Sequence, residues 1–188
     1  MLHRTFLSIQ IPENTKKALL AYKEEWSDLP AKWTSEENLH LTVIFLGNTS
    51  DQELLEVISA TQKAAEKHET FTLNISSIVF GPVKTKPRMV WALIDESKEL
   101  QSLHKDIEKE LLNTEAIAFS RDKKAFSPHL TLSRLHQIKI AQMREEEIPE
   151  VNEQVSLKIP VQSIEVIESE LKKTGPIYTT LQSIQLNT

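Results

Sequence analysis

A chain of 188 residues with 39% hydrophobic and 26% charged side chains is long enough to bury a core of its own. Its formal net charge of -5 argues against broad coating of a long nucleic acid, yet leaves room for a pocket that takes one phosphate or the end of a strand. The lack of cysteine removes disulfides, thiolate metal sites and thiol nucleophiles, and the three glycines, Gly47, Gly81 and Gly175, are too scattered for a phosphate-cradling loop.

Residues 4 to 11 are rich in branched and aromatic side chains and read as a strand, with Pro12 suited to a first helical turn. The apolar stretch here alternates with polar residues, unlike a signal peptide, and no run is long enough to span a bilayer; a cytoplasmic monomer is expected. Ala18, Leu19, Tyr22 and Trp26 then form a helical stripe that Pro30 ends. Residues 39 to 46 read as a second strand closed by Gly47, and Ser50 with Glu53 form a capping-box pattern before a helix over about 51 to 67. Strands at 71 to 81 and 88 to 94 flank a proline- and lysine-rich loop and suit an antiparallel pair. Leu100, Leu103, Ile107 and Leu111 mark another helix, and 126 to 135 another strand. The acidic stretch 145 to 153 reads as a solvated loop or short helix, followed by two strand-like runs at 155 to 169 and 177 to 186.

The order strand, helix, H-x-T strand occurs twice, which points to an internal duplication that brings two lobes to a shared groove. The motifs are HLTV at 40 to 43 and HLTL at 129 to 132. Alternation along a strand puts His40 with Thr42, and His129 with Thr131, on a polar face, and the leucines on the other; Ser127 and Ser133 should extend the second polar face. Either motif alone is more simply a half-buried strand, but two copies with leucine between and an aliphatic residue after have a chance on the order of 0.001. Two imidazoles that titrate near neutrality can hold complementary proton states, one to activate water and one to protonate a departing ribose oxygen. Threonine hydroxyls can donate to the phosphate oxygens. One nitrogen per strand with no adjacent carboxylate is a poor metal set, so neither metal nor cofactor is expected.

In these motifs, and in RTFLSIQIP at the start, NLHLTVIFLGN at 38 to 48, FSPHLTLSRL at 126 to 135 and the closing SELKKTGPIYTTLQSIQL, the chain resembles the 2H phosphoesterases, specifically the RNA 2',3'-cyclic phosphodiesterases long named 2'-5' RNA ligases. The resemblance covers nearly the whole chain and implies one domain of two duplicated lobes: an α+β fold with antiparallel sheets around a central cleft and helices on the outer faces. It implies His40 as proton donor, His129 as proton acceptor, Thr42 and Thr131 as phosphate binders, and an RNA end or nucleotide with a cyclic phosphate as partner. The product would carry a 2'-phosphate, with weak, reversible 2'-5' joining second. Phe45 and Arg134, each five residues past its histidine, would hold a terminal base, although parity sets Phe45 opposite His40 unless the strand bulges. Cleavage of 2'-5' oligonucleotides or small cyclic nucleotides, and a non-catalytic RNA-end-binding module, are the alternatives. Lys84, Lys86 and Arg88, and Arg121, Lys123 and Lys124, read as loop charge more readily than as an RNA track. Tyr178 either reaches the cleft or packs at a sheet edge, and His3, His68, His104 and His136 read as structural or surface residues.

Overall fold

A computed structural model describes residues 1–82, 87–121, 125–173 and 175–188. Lys84, Lys86, Lys123 and Lys124 therefore lie outside the described residues.

Two antiparallel sheets organise the chain. The four-stranded sheet runs β3 (His40–Ser50), β1 (Leu2–Gln10), β8 (Ser163–Lys172), β9 (Gly175–Gln185). The five-stranded sheet runs β2 (Ala31–Trp33), β6 (His129–Leu135), β5 (Met89–Ile94), β4 (Phe71–Gly81), β7 (Asn152–Val161). In each half the strand before a helix pairs with the H-x-T strand after it: β1 with β3 around α1 (Glu13–Glu25), and β5 with β6 around α3 (Lys98–Leu112).

One face of each sheet is apolar because alternate residues point the same way. Leu7, Ile9, Leu41 and Val166 from one sheet, and Leu73, Val90, Ala92 and Leu130 from the other, are buried in the core with the inner stripe of α3, Leu103, Ile107 and Leu111. Helix α2 (Asp51–Ala65) packs on α3 and starts in the expected capping box: the Ser50 hydroxyl accepts from the Glu53 amide at 3.3 Å, and the Ser50 amide donates to the Glu53 carboxylate at 2.7 Å.

The structure departs from the sequence expectations at several edges. The second strand does not close at Gly47 but runs on to Ser50, because Gly47 takes a φ of +83° at a bulge where Thr5 faces Gly47 and Phe6 faces Phe45. The run 155 to 169 is not one strand: it divides around Gln162 into β7 and β8, which belong to different sheets. Pro160, which has no amide hydrogen to donate, is tolerated because β7 is an edge strand. The last motif strand starts at His129 rather than 126, just after Pro128. The short strand β2, absent from the sequence reading, extends the second sheet and leads into Thr34, whose amide donates to the Leu132 carbonyl at 2.9 Å.

Candidate active site

Both H-x-T strands carry a bulge at the same point, which no sequence periodicity announces. Across β1 and β3, Leu7 faces Ile44 and Ser8 faces Thr42, so Val43 is the extra residue; across β5 and β6, Val90 faces Ser133 and Trp91 faces Thr131, so Leu132 is extra. Two consecutive side chains then enter the core, Val43 with Ile44 and Leu132 with Ser133. Parity inverts beyond that point. Phe45, 73% exposed, and Arg134 consequently emerge on the same face as His40 with Thr42 and His129 with Thr131. The same inversion overturns the expectation for Ser133, which is fully buried with its hydroxyl unbonded among the described residues instead of extending the polar face.

The two imidazoles are held alike. His40 Nδ1–H donates to the Asn38 carbonyl at 2.8 Å, and His129 Nδ1–H donates to the Ser127 carbonyl at 2.8 Å. A carbonyl can only accept, so each Nδ1 carries the proton and each Nε2 is left for chemistry. The Asn38 side chain is itself fixed, donating to the Pro176 carbonyl of β9 at 3.0 Å. The free nitrogens differ: His40 Nε2 meets the Thr42 hydroxyl at 3.0 Å, whereas His129 Nε2 has no hydrogen-bond partner among the described residues. Burial holds both imidazoles below their usual value, opposed in each case by the carbonyl bond; for His40 the positive charge of Lys16 lowers it further.

Aromatic rings surround both groups. Trp91 stacks on His129 with centroids 3.8 Å apart, and Gly81 leaves the space for it: a Cβ there would fall 2.2 Å from the indole. His40 lies 4.8 Å from Phe6 and meets Tyr178 edge-on at 5.1 Å. Burial raises the Tyr178 hydroxyl, while the positive fields of Arg134 and Arg4 act the other way. Arg134, on the strand of one motif, thus acts on a tyrosine packed against the histidine of the other, and β3 and β6 approach each other across the sheets. Sequence reading missed Trp91, Phe6 and Lys16 and left Tyr178 undecided. The signal for Trp91 was its cross-strand place opposite Thr131, which becomes readable only once the bulge is known.

Arg121 is occupied by an ion pair with the nearly buried Glu108 at 2.7 Å. His104 stacks on Phe126 at 4.0 Å, His68 contacts Asp106 at 2.8 Å, and His3 lies between Asp51 and Glu168. Among the described residues no three histidines or carboxylates gather as a metal set, and no helix is long and apolar enough to cross a membrane.

The model of the family described as LigT-like phosphoesterase matches residues 9–91 and again 94–178. The chain belongs to the LigT-like phosphoesterases. This phosphoesterase is 28% identical over 184 residues to a Thermotoga maritima protein named RNA 2',3'-cyclic phosphodiesterase, covering 97% of the chain and 95% of the relative. It is 28% identical over 193 residues to a Thermus thermophilus protein of the same name, covering 97% and 90%. The crystal structure of TT0787 from Thermus thermophilus superposes with a TM-score of 0.81 at 26% identity, covering 97% of each chain. Escherichia coli LigT complexed with 3'-AMP shares the fold, with a TM-score of 0.80 at 18% identity over the whole of both chains.

Proposed function

We propose that this phosphoesterase hydrolyses RNA 2',3'-cyclic phosphate ends to 2'-phosphomonoesters by two-histidine acid–base catalysis. The observation that carries this reading is the matched pair of imidazoles, each with Nδ1–H pinned to a carbonyl two residues upstream and each on one face with its threonine. His129, whose Nε2 is open, takes a proton from water as the oxygen attacks phosphorus; the bond from phosphorus to O3' breaks, and protonated His40 delivers its Nε2 proton to that oxygen. Thr42 and Thr131 donate to the non-bridging oxygens as charge grows. Phe45 and Arg134 hold the terminal base. A 5'-hydroxyl in place of water gives a 2'-5' linkage through the same transfers. The relatives' shared name supports the substrate class, and the twofold match of the family model supports one domain of two duplicated lobes. A cytoplasmic monomer without metal or cofactor completes the reading.

The test is incubation with an RNA that ends in a 2',3'-cyclic phosphate and identification of the product. A 2'-phosphate is expected; a 3'-phosphate, or no turnover, overturns the proposal.

A further inference from the structure

On the face of the four-stranded sheet that carries His40 and Thr42, a polar row runs away from the catalytic strand. Thr42 faces Ser8, Ser8 faces Glu165, and Glu165 faces Ser183. Residues directly opposite in antiparallel strands share a face, and their neighbours Leu7, Ile9, Leu41, Ile164 and Val166 all enter the core on the other side. Ser8 and Glu165 are buried, at 1% and 3% exposure. Glu165 Oε1 accepts from Ser163 Oγ at 2.6 Å and Ser183 Oγ at 2.8 Å. Its Oε2 has neither a hydrogen bond nor a cation among the described residues and keeps some contact with solvent, which leaves an open acceptor that the proposed hydrolysis does not use.

Glu165 lines a cavity of about 250 Å³ together with Gln10, Pro12, Pro160, Gln162 and Ser163. Gln10 is the cross-strand partner of His40, so the cavity begins beside that histidine. Phe45 lies away from that end, about midway along the β1 and β3 pair, opposite Phe6.

We propose that this cavity is the subsite for the base preceding the cyclic phosphate, and that Glu165 Oε2 accepts a hydrogen bond from its exocyclic amino group. The inference rests on the hydrolysis proposed above, in which the ribose lies on the His40 side and the terminal base on the Phe45 side; the chain then continues from the ribose toward Gln10. The prolines offer apolar walls to a flat ring. The unpaired carboxylate oxygen repels a phosphate, so the base enters and the backbone passes outside. Adenine, cytosine and guanine each present an amino group. Uracil has a carbonyl where cytosine has its amino group, and its one donor on that edge, N3–H, lies a ring position away, so it reaches Oε2 only if the base shifts in the cavity.

The experiment compares kcat/KM on dinucleotide cyclic phosphates with A, C, G or U before a constant terminal uridine, and on uridine 2',3'-cyclic phosphate alone. In the unaltered protein the amino-bearing bases should exceed U at that position by about 10-fold or more, the range of a hydrogen bond to a charged group. Glu165→Gln, whose amide both donates and accepts, should level that ratio. Should the Gln variant fail to fold, Gln10→Ala tests the same wall and should lower the ratio of dinucleotide to mononucleotide. A flat preference in the unaltered protein, or one that survives Glu165→Gln, overturns the subsite. Failure to turn over even the mononucleotide sinks the hydrolysis reading instead.

Discussion

Trp91 lies nearly flat against His129, with ring planes 26° from parallel, and its buried indole N–H has no partner among the described residues. A buried donor left unpaired is costly, which suits a ring kept for what its face does. In the proposed reaction, the imidazolium formed when His129 takes a proton would rest on an aromatic surface that favours positive charge. Trp91→Leu should lower kcat by about 2- to 12-fold, equivalent to roughly 0.5–1.5 kcal/mol of aromatic pairing, with little change in KM. Trp91→Phe should recover most of it. Steady-state kinetics on folded variants decide the matter: equal losses in the two would assign Trp91 to packing alone.

His40→Ala and His129→Ala should each lower turnover by a factor on the order of 100 to 10,000 with the fold kept, the range for loss of a general acid or base. Circular dichroism checks the fold. Near-normal turnover in either would remove that residue from the mechanism.

The pH profile should carry the signature of burial. In the proposed mechanism the free enzyme needs one imidazole neutral and one protonated, and both sit below the usual 6.5. The optimum of kcat/KM should therefore lie on the acidic side of 6.5 and fall as pH rises past it, because the proton donor empties. Bound phosphate favours protonation of both, so the kcat optimum should shift upward. The same depression affects folding: the unfolded chain protonates these histidines near 6.5 and the folded chain only at lower pH, so their contribution to stability is present above 6.5 and is lost as pH falls. A kcat/KM optimum in the alkaline range would contradict the burial account.

Phe45 should act on substrates that have a base and not on those without one. Phe45→Ala is expected to cost about 1 to 3 kcal/mol in transition-state binding on a cyclic-phosphate RNA, and Arg134→Ala more, since its charge also meets phosphate. A minimal cyclic phosphate lacking the base should be insensitive to Phe45→Ala. Equal damage on both substrates would show that Phe45 has no part in holding the base.

Activity should survive EDTA followed by extensive dialysis, because imidazoles and hydroxyls suffice for the proposed proton transfers. Loss with chelator and recovery with zinc or manganese would refute this.

Much of the fold was legible because its signals are local. The Ser50 and Glu53 capping box, the apolar stripe of α3 and the alternation in HLTV and HLTL each fix an element within a few residues. The expected pairing of residues 71–81 with 88–94 is present as β4 with β5. What escaped depends on partners distant in the chain. The bulge at Val43 exists only relative to β1, and the one at Leu132 only relative to β5, so the faces of Phe45, Ser133 and Arg134 could not follow from alternation alone. The division of 155 to 169 likewise has no sharp local signal beyond Pro160, because Gln162 turns the chain into another sheet while both flanks remain strand-like.

That division at Gln162 bears on how the molecule can be made. Neither sheet is complete in the first half of the chain: β1 and β3 wait for β8 and β9, and β4 waits for β7. During synthesis on a ribosome, the two halves of the chain are therefore not self-sufficient parcels that fold in turn. Until the closing strands emerge, β1 and β4 each offer an unpaired edge, the kind of surface that invites a wrong partner.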